Sequence, residues 1–347
     1  MKDRGDGLAS ARSHRAPLVV RVGAYPHRVS DTVAWERRAL ESRGCAYAFV
    51  ESQDDLAERD ASEAIGVIAS SGVWNAAAFS RLPNCRILVS CSVGLDTVEV
   101  QAATSLGICV CHMPDLCTDE VADHAFALLL ACVRKTARLN NRVHTGIWDR
   151  KLLEPMPRLR GSTLGLLGFG RIARAVATRA QAFGMRVIAY DPYVDRELAH
   201  SMDVELVELE TLCRDSDVIS CHIPLNAHTA RSIDEACFRA MKPSAYFINT
   251  SRGAVVDQEA LVGALQAGEI RGAGLDVLED EPPSPGNPLL QMENVLLTPH
   301  AAGFSDEVVM DIPRLAVQAI LSYIKTGRPP SHGCVNVDAL SVANALS

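Results

Sequence analysis

Thr163-Leu-Gly-Leu-Leu-Gly168-Phe-Gly170-Arg-Ile-Ala173 is the stretch that decides the fold. Its first five residues form a short apolar run suited to a buried parallel strand, and behind the glycines Ile172, Val176, Ala180 and Phe183 recur at helical spacing. Gly184 closes that helix. A second strand, Arg186–Tyr190, ends in Asp191, which stands 23 residues past Gly168, near the offset of about 20 at which an acid meets a ribose in a dinucleotide site. By itself a Gly-x-Gly-x-x-Ala turn merely joins a strand to a helix; strand, helix and acid in register make it one mononucleotide-binding βαβ unit.

Each position has a physical purpose. Gly168 permits the tight turn, and Gly170 lets a pyrophosphate approach the backbone. The helix N-terminus, around Phe169, Arg171 and Ile172, offers free N–H groups and a positive dipole end. Ala173 stands in place of the third glycine, an accepted variant. Asp191 can accept hydrogen bonds from both ribose hydroxyls and would repel a 2′-phosphate, so the expected cofactor is NAD rather than NADP.

Upstream of the turn, strands and helices already alternate. Leu18–Val22, Ala46–Val50, Gly66–Ala69, Arg86–Ser90 and Ile108–His112 read as strands, and Thr32–Ser42, Trp74–Arg81 and Thr97–Leu106 as helices. Such alternation implies a parallel sheet with helices on both faces. A helix rich in Ala and Leu, from Asp119 to about Arg142, is apolar enough to be buried between lobes or to form a subunit contact, so a homodimer is expected. Further strands follow the glycine turn at Asp217–His222, Ala245–Asn249, Gly272–Val277 and Val295–Thr298, and a last helix at Asp306–Thr326 returns to the first lobe. The fold class is therefore α/β with two doubly wound parallel-sheet domains. A Rossmann NAD-binding domain, residues 114–304, is inserted in a flavodoxin-like substrate domain made of 17–113 and 305–337. Residues 1–16 and 338–347 read as disordered tails.

Composition narrows the function. The 347 residues support about two domains. With 34 basic against 42 acidic side chains the net charge is −8, which gives no general attraction to nucleic acid or an anionic membrane. A small-molecule partner is expected instead. No apolar run approaches the 18 or so residues needed to cross a bilayer, and Met1–Pro17 lacks an apolar signal core, so a cytoplasmic location is expected. Eleven cysteines, an odd number, are spread through core segments, as at Cys109, Cys132, Cys213 and Cys221, which suits a reducing compartment. Cys109-Val-Cys111-His112 looks like a metal cluster, but on a strand Cys109 and Cys111 share a face and His112 does not. No second paired cluster completes four ligands, and no metal is expected.

Three chemistry-bearing residues stand at the ends of successive strand regions: Arg252 in Asn249–Gly253, Glu281 in Asp276–Pro282, and His300 in Thr298–Ala302. Ligands of such sheets collect at the carboxyl ends of the strands. With the nucleotide turn, these segments resemble the D-2-hydroxyacid dehydrogenase family over nearly the whole span from Val89 to Asn336. Ala182–Tyr193 and Thr298–Ser305 are most similar to its C-terminal binding protein-like branch. Reducing a 2-oxo acid needs a cation for the carboxylate, a proton donor for the carbonyl oxygen and a hydride from nicotinamide. Arg252 offers the paired donors. His300 is the proton donor, with Glu281 as the partner that fixes its orientation. The resemblance implies these three as catalytic, Asp276 on the nicotinamide side, and backbone groups at Val93 and Gly94 on the substrate carboxylate. It extends cofactor binding to Thr118, Pro224, Asn226, Thr250, Ser251, Ala302 and Gly303. His112, His124, His144 and His228 have no such company and read as structural.

The expected activity is reduction of a small 2-oxo acid such as glyoxylate or hydroxypyruvate with NADH, the two lobes closing to exclude water. Formate-oxidising relatives carry glutamine in place of the acid, and Glu281 argues against that chemistry. Phosphoglycerate and phosphite oxidation remain open. So does a nucleotide-sensing corepressor-like scaffold, although those proteins carry Trp where this chain has Gly303.

Overall fold

Two all-parallel sheets carry the chain in a computed structural model that describes residues 16–23, 29–150 and 155–340. The first unit comprises Met1–Pro114 and Val309–Ser347. Along it run β1 (Leu18–Val22), α1 (Val29–Glu41), β2 (Ala46–Val50), α2 (Glu58–Glu63), β3 (Ala64–Ala69), α3 (Ala76–Ser80), β4 (Ile87–Ser90), α4 (Val100–Ser105) and β5 (Cys109–Cys111). The strand order β2-β1-β3-β4-β5 is that of the flavodoxin-like doubly wound fold. Val20, Val67, Leu88 and Val110 line one buried face with Phe79 and Trp74. A buried ion pair lies in this interior: Arg21 pairs with Glu36 at 2.8 Å and donates to Ser70 Oγ and the Gly23 carbonyl, and Tyr47 Oη donates to Glu36 at 2.7 Å.

The second unit, Asp115–Val308, holds α5 (Thr118–Arg134), α6 (Thr136–His144), β6 (Thr163–Leu167), α7 (Arg171–Ala182), β7 (Arg186–Tyr190), α8 (Arg196–Ser201), β8 (Glu205–Leu206), α9 (Leu209–Asp215), β9 (Val218–Cys221), α10 (Glu235–Ala240), β10 (Tyr246–Asn249), α11 (Gln258–Ala267), β11 (Gly272–Leu275) and β12 (Val295–Leu297). Helix α12 (Asp306–Thr326) begins here and continues into the first unit's segment. The order β12-β11-β10-β9-β6-β7-β8 reverses direction between β6 and β9, the switch point of a Rossmann sheet, and the glycine turn follows β6. Burial on both faces explains the unbroken apolar runs of the strands: Leu164 and Leu166 join one core layer with Val176, and Leu167 joins the other with Ile219 and Phe247.

Several elements differ from the sequence expectation. The helix expected from Asp119 to Arg142 is broken at Lys135, which takes φ +54°. α5 buries Phe126, Leu128, Leu129 and Val133, whereas α6 buries none of its side chains, so nothing holds the second helix to the line of the first. α3 starts two residues late because Asn75 caps it, accepting from the Ala78 amide, while Trp74 is drawn into a bridge with Val98. Residues 337–340, read as tail from 338 onward, form a helical turn with Leu340 buried. Asn336 anchors that turn: its side chain accepts from the Val110 amide and donates to the Ile108 carbonyl and Thr104 Oγ1. The rest of both expected tails, except Ala16, lies outside the described residues. The sequence placed the domain boundaries at 113/114 and 304/305; the units divide at 114/115 and 308/309, the latter inside α12. Among the described residues no helix is long and apolar enough to cross a membrane.

Candidate active site

The glycine turn is built as its residues require. Gly168 has φ +85°, and a Cβ there would stand 3.0 Å from the His222 carbonyl oxygen. Gly170 caps α7 without a side chain, and a Cβ on it would meet only open space, so the first amides of α7 are left for a ligand. Ala173 is fully buried in the core layer that Phe169 also enters, so Phe169 offers the rim only its backbone. Its amide donates to Asp191 Oδ2 at 2.8 Å, and the Tyr193 amide donates to Asp191 Oδ1 at 2.9 Å, which locks the carboxylate at the rim of the turn. Ile172 packs against the core, and Arg171 pairs with Asp115 at 2.7 Å.

At the end of β10, Thr250 Oγ1 is buried with no hydrogen-bond partner, an unusual state for a hydroxyl. An orphan hydroxyl in this position and the open amides at Gly170 as donors, with the fixed Asp191 carboxylate as acceptor, together fit a dinucleotide. Buried Asn249 shapes the next residues. Its Oδ1 accepts from the amide and hydroxyl of Ser251, and its Nδ2 donates to the Arg252 carbonyl at 3.1 Å. Arg252, half-buried, donates from Nη1 to the Ser251 carbonyl. Gly253 follows because a Cβ there would fall 1.9 Å from the backbone of Leu278. That contact sets the Arg252 loop against the Glu281 loop, where the Leu278 amide donates to Glu281 Oε1 at 3.0 Å.

Glu281 Oε2 accepts from His300 Nδ1 at 2.6 Å. The histidine has φ +51°, a region a non-glycine residue occupies only when its surroundings hold it there. Asp276, only 2% exposed, is what holds it. The Asp276 carbonyl accepts from the His300 amide, Oδ1 accepts from Thr298 Oγ1 at 2.6 Å and the Ala301 amide at 2.9 Å, and Oδ2 accepts from the Ala302 amide at 2.9 Å. Burial alone would raise the carboxyl's pKa, but hydrogen bonds from His124, Thr298, Ala301 and Ala302 outweigh it and hold it below the ordinary carboxylate range. A cavity of about 430 Å³ opens against Asp276, Leu278, Glu281, Thr298 and His300. A larger cleft of about 580 Å³, beside Lys135, Arg138 and Arg271, contains none of the expected site residues.

Two histidines read as structural have partners after all. His124 Nε2 lies 2.9 Å from Thr298 Oγ1 and 3.4 Å from Asp276 Oδ1, inside the network that supports His300. In the first unit His112 Nδ1 donates to the Val93 carbonyl at 2.8 Å, and Ser92 Oγ donates to that of Gly94, which fixes the loop expected to meet a carboxylate. Cys117 is a further residue the sequence did not single out. Left-handed at φ +54° before α5, it places its sulfur 3.1 Å from where a Cβ of Gly303 would stand. Burial and Glu120 push its thiol up to about 11 against the pull of Arg252. Pro224 and Asn226 form a self-contained turn: Asn226 Oδ1 accepts from the His228 and Thr229 amides, and the Pro224 carbonyl from Thr229 Oγ1. Thr118 opens α5, half-buried. His144 and His228 are exposed, and none of these bonds engages their rings.

Comparison with known proteins agrees with this geometry. The family model for the NAD binding domain of D-isomer specific 2-hydroxyacid dehydrogenases matches residues 126–302. A glyoxylate reductase of Korarchaeum cryptofilum is 41% identical over 272 residues, 77% of this chain and 81% of the relative. A D-3-phosphoglycerate dehydrogenase of Archaeoglobus fulgidus is 39% identical over 259 residues, 75% of this chain but only 49% of the longer relative. Among solved structures, D-lactate dehydrogenase from Aquifex aeolicus complexed with NAD and lactic acid superposes with a TM-score of 0.80 at 30% identity, covering 88% of this chain and 95% of its own.

Proposed function

The chain belongs to the D-isomer-specific 2-hydroxyacid dehydrogenase family, and from that premise we propose that it is an NAD-dependent reductase of small 2-oxo acids, with glyoxylate and hydroxypyruvate the leading substrates. The observation that carries the reading is the 2.6 Å bond from His300 Nδ1 to Glu281. Because Nδ1 is committed to the carboxylate, Nε2 is the ring nitrogen free to give a proton to a substrate.

Bound NADH supplies the hydride to the carbonyl carbon. The chain's residues then have three tasks. Arg252 presents a planar fork of donors that matches a carboxylate and its neighbouring carbonyl, joined in this reading by backbone groups at Val93 and Gly94. His300 Nε2 protonates the carbonyl oxygen as negative charge gathers on it, and Glu281 holds the ring in one orientation through its bond to Nδ1. The turn from Gly168 to Ile172 receives the pyrophosphate and Asp191 the ribose, with Thr118, Pro224, Asn226, Thr250, Ser251, Ala302 and Gly303 around the nucleotide and Asp276 on the nicotinamide side. Asp191 supports NAD over NADP because a carboxylate repels a 2′-phosphate. The reading places a homodimer in the cytoplasm. The exposed apolar side chains of Val143 in α6 and of Ile147 and Trp148 just after it support the dimer, and eleven free thiols support a reducing compartment.

The test is NADH oxidation by the purified protein across glyoxylate, hydroxypyruvate and phosphohydroxypyruvate, with NAD reduction by phosphite alongside. Turnover on an unphosphorylated acid supports the proposal. Preference for phosphohydroxypyruvate would move it to the activity named for the Archaeoglobus relative. Nucleotide binding with no turnover on any acid would favour phosphite oxidation or a scaffold.

A further inference from the structure

We infer that Cys109, Cys111 and Cys334 form a three-thiolate site for one soft metal ion in the first unit. Sequence spacing alone offered only the first two, and the absence of further ligands argued against a metal; the fold supplies the third. Strand alternation puts Cys109 and Cys111 on one face of the edge strand β5, with their sulfurs 3.7 Å apart. The segment after α12 then pairs antiparallel with β5: the His112 amide donates to the Gly333 carbonyl, and the Val335 amide to that of Val110. Those two bonds flank Cys111 and Cys334, so the pair is of the close, non-hydrogen-bonded kind whose side chains stand side by side. Cys334 Sγ comes within 3.3 Å of Cys109 Sγ, and all three sulfurs lie within 4.8 Å of one another.

The surroundings are fitted to this convergence. Gly333 has φ +77°, and a Cβ there would strike the His112 carbonyl at 2.4 Å, so only glycine lets the segment approach so closely. Asn336, two residues on, is fastened to β5 and α4 by three hydrogen bonds. Four thiolates around a tetrahedral Zn²⁺ at about 2.3 Å lie about 3.8 Å apart, close to the spacing found. A set of three sulfurs with no carboxylate selects Zn²⁺, Cu⁺ or their heavier analogues over Mg²⁺ or Ca²⁺. Cys334 is the most accessible of the three and the point of entry. Binding a divalent ion releases three protons, the three S–H bonds giving way to three metal–sulfur bonds and a complex of charge −1, with a fourth position open to solvent. The ion would tie together residues 225 positions apart and so lock the C-terminal segment to the sheet edge.

The experiment titrates the reduced, metal-free full chain with Cd²⁺ as a spectroscopic stand-in for Zn²⁺, beside Cys334→Ser and Cys109→Ser. The wild type is expected to take up one Cd²⁺ with an ultraviolet thiolate-to-metal band, to release three protons, and to melt at a higher temperature with metal than without. Cys334→Ser should lose the band and the thermal shift while its metal-free melting stays close to that of the wild type. Because Cys334 is only half-buried, this variant decides the matter even if Cys109→Ser fails to fold. An unchanged band in Cys334→Ser would assign the uptake to other thiols and overturn the proposal. So would the absence of a band in the wild type, or a Cys109–Cys334 disulfide in the peptide map of a chain that binds no metal.

Discussion

Replacing Asp276 by Asn keeps the size of the side chain and removes the feature on which the 298–302 turn depends. The carboxylate accepts from Thr298 Oγ1, the Ala301 amide and the Ala302 amide while 2% exposed. An amide retains one oxygen. In its better orientation that oxygen serves Thr298 and Ala301, and the new NH₂ confronts the Ala302 amide, donor against donor. The loss is one charge-assisted bond plus one buried donor left unsatisfied, roughly 2–4 kcal/mol. In a unit of this size that corresponds to a fall in Tm of roughly 5–15 °C. Because the same turn holds His300 at φ +51°, kcat should fall as well. The pH dependence has a fixed sign: the folded carboxyl titrates below its ordinary value, so its stabilisation is full above the unfolded pKa of about 3.9 and fades as pH drops through the lower folded value. The assay is calorimetry of both proteins from neutral to acid pH with steady-state kinetics alongside. Unchanged Tm and kcat in Asp276→Asn would refute the claim that this carboxylate holds the 298–302 turn. Unchanged Tm with weakened NADH binding alone would make Asp276 a cofactor contact and nothing more.

Asp191→Ala should weaken NAD far more than NADP in binding titrations, at a further cost of about 1–2 kcal/mol for the released Phe169 and Tyr193 amides; equal loss for both nucleotides would overturn the ribose assignment. Glu36→Ala leaves Arg21 buried without its counter-charge and should cost about 3–5 kcal/mol in urea unfolding, with a loss under 1 kcal/mol arguing that water reaches Arg21. Burial pushes His222 down to about 4, so the folded state keeps it neutral while the unfolded chain binds a proton from about 6.5 downward. Stability should therefore decline as pH falls from about 6.5 toward 4, and His222→Gln should flatten that slope in denaturant midpoints; an identical slope would place the acid sensitivity elsewhere.

What the sequence made legible was whatever local chemistry dictates. The glycine turn could be recognised because Gly168 and Gly170 meet backbone constraints written into neighbouring residues, and Asp191 because β7 brings it to the rim. The expectation at Arg252, Glu281 and His300 rests on parallel strands delivering their carboxyl ends to one edge, and of the three the structure bonds His300 to Glu281. Packing across long separations was not legible. Lys135 breaks the helix with no glycine or proline to announce it, because burial ends at Val133. His124 meets Thr298 over 174 residues, and Cys334 meets Cys109 over 225. The role of Asn336 in ordering residues up to Leu340 depends on β5, which no local pattern links to it.

The proposed function stands on His300, oriented by Glu281, giving the proton. The most direct measurement compares kcat and the NADH Kd of the wild type with those of His300→Ala and Glu281→Ala, using the best 2-oxo acid. Turnover should fall about 10²–10⁴-fold in His300→Ala and less in Glu281→Ala, with NADH affinity nearly unchanged in both. Wild-type kcat in His300→Ala would contradict that proton-donor role.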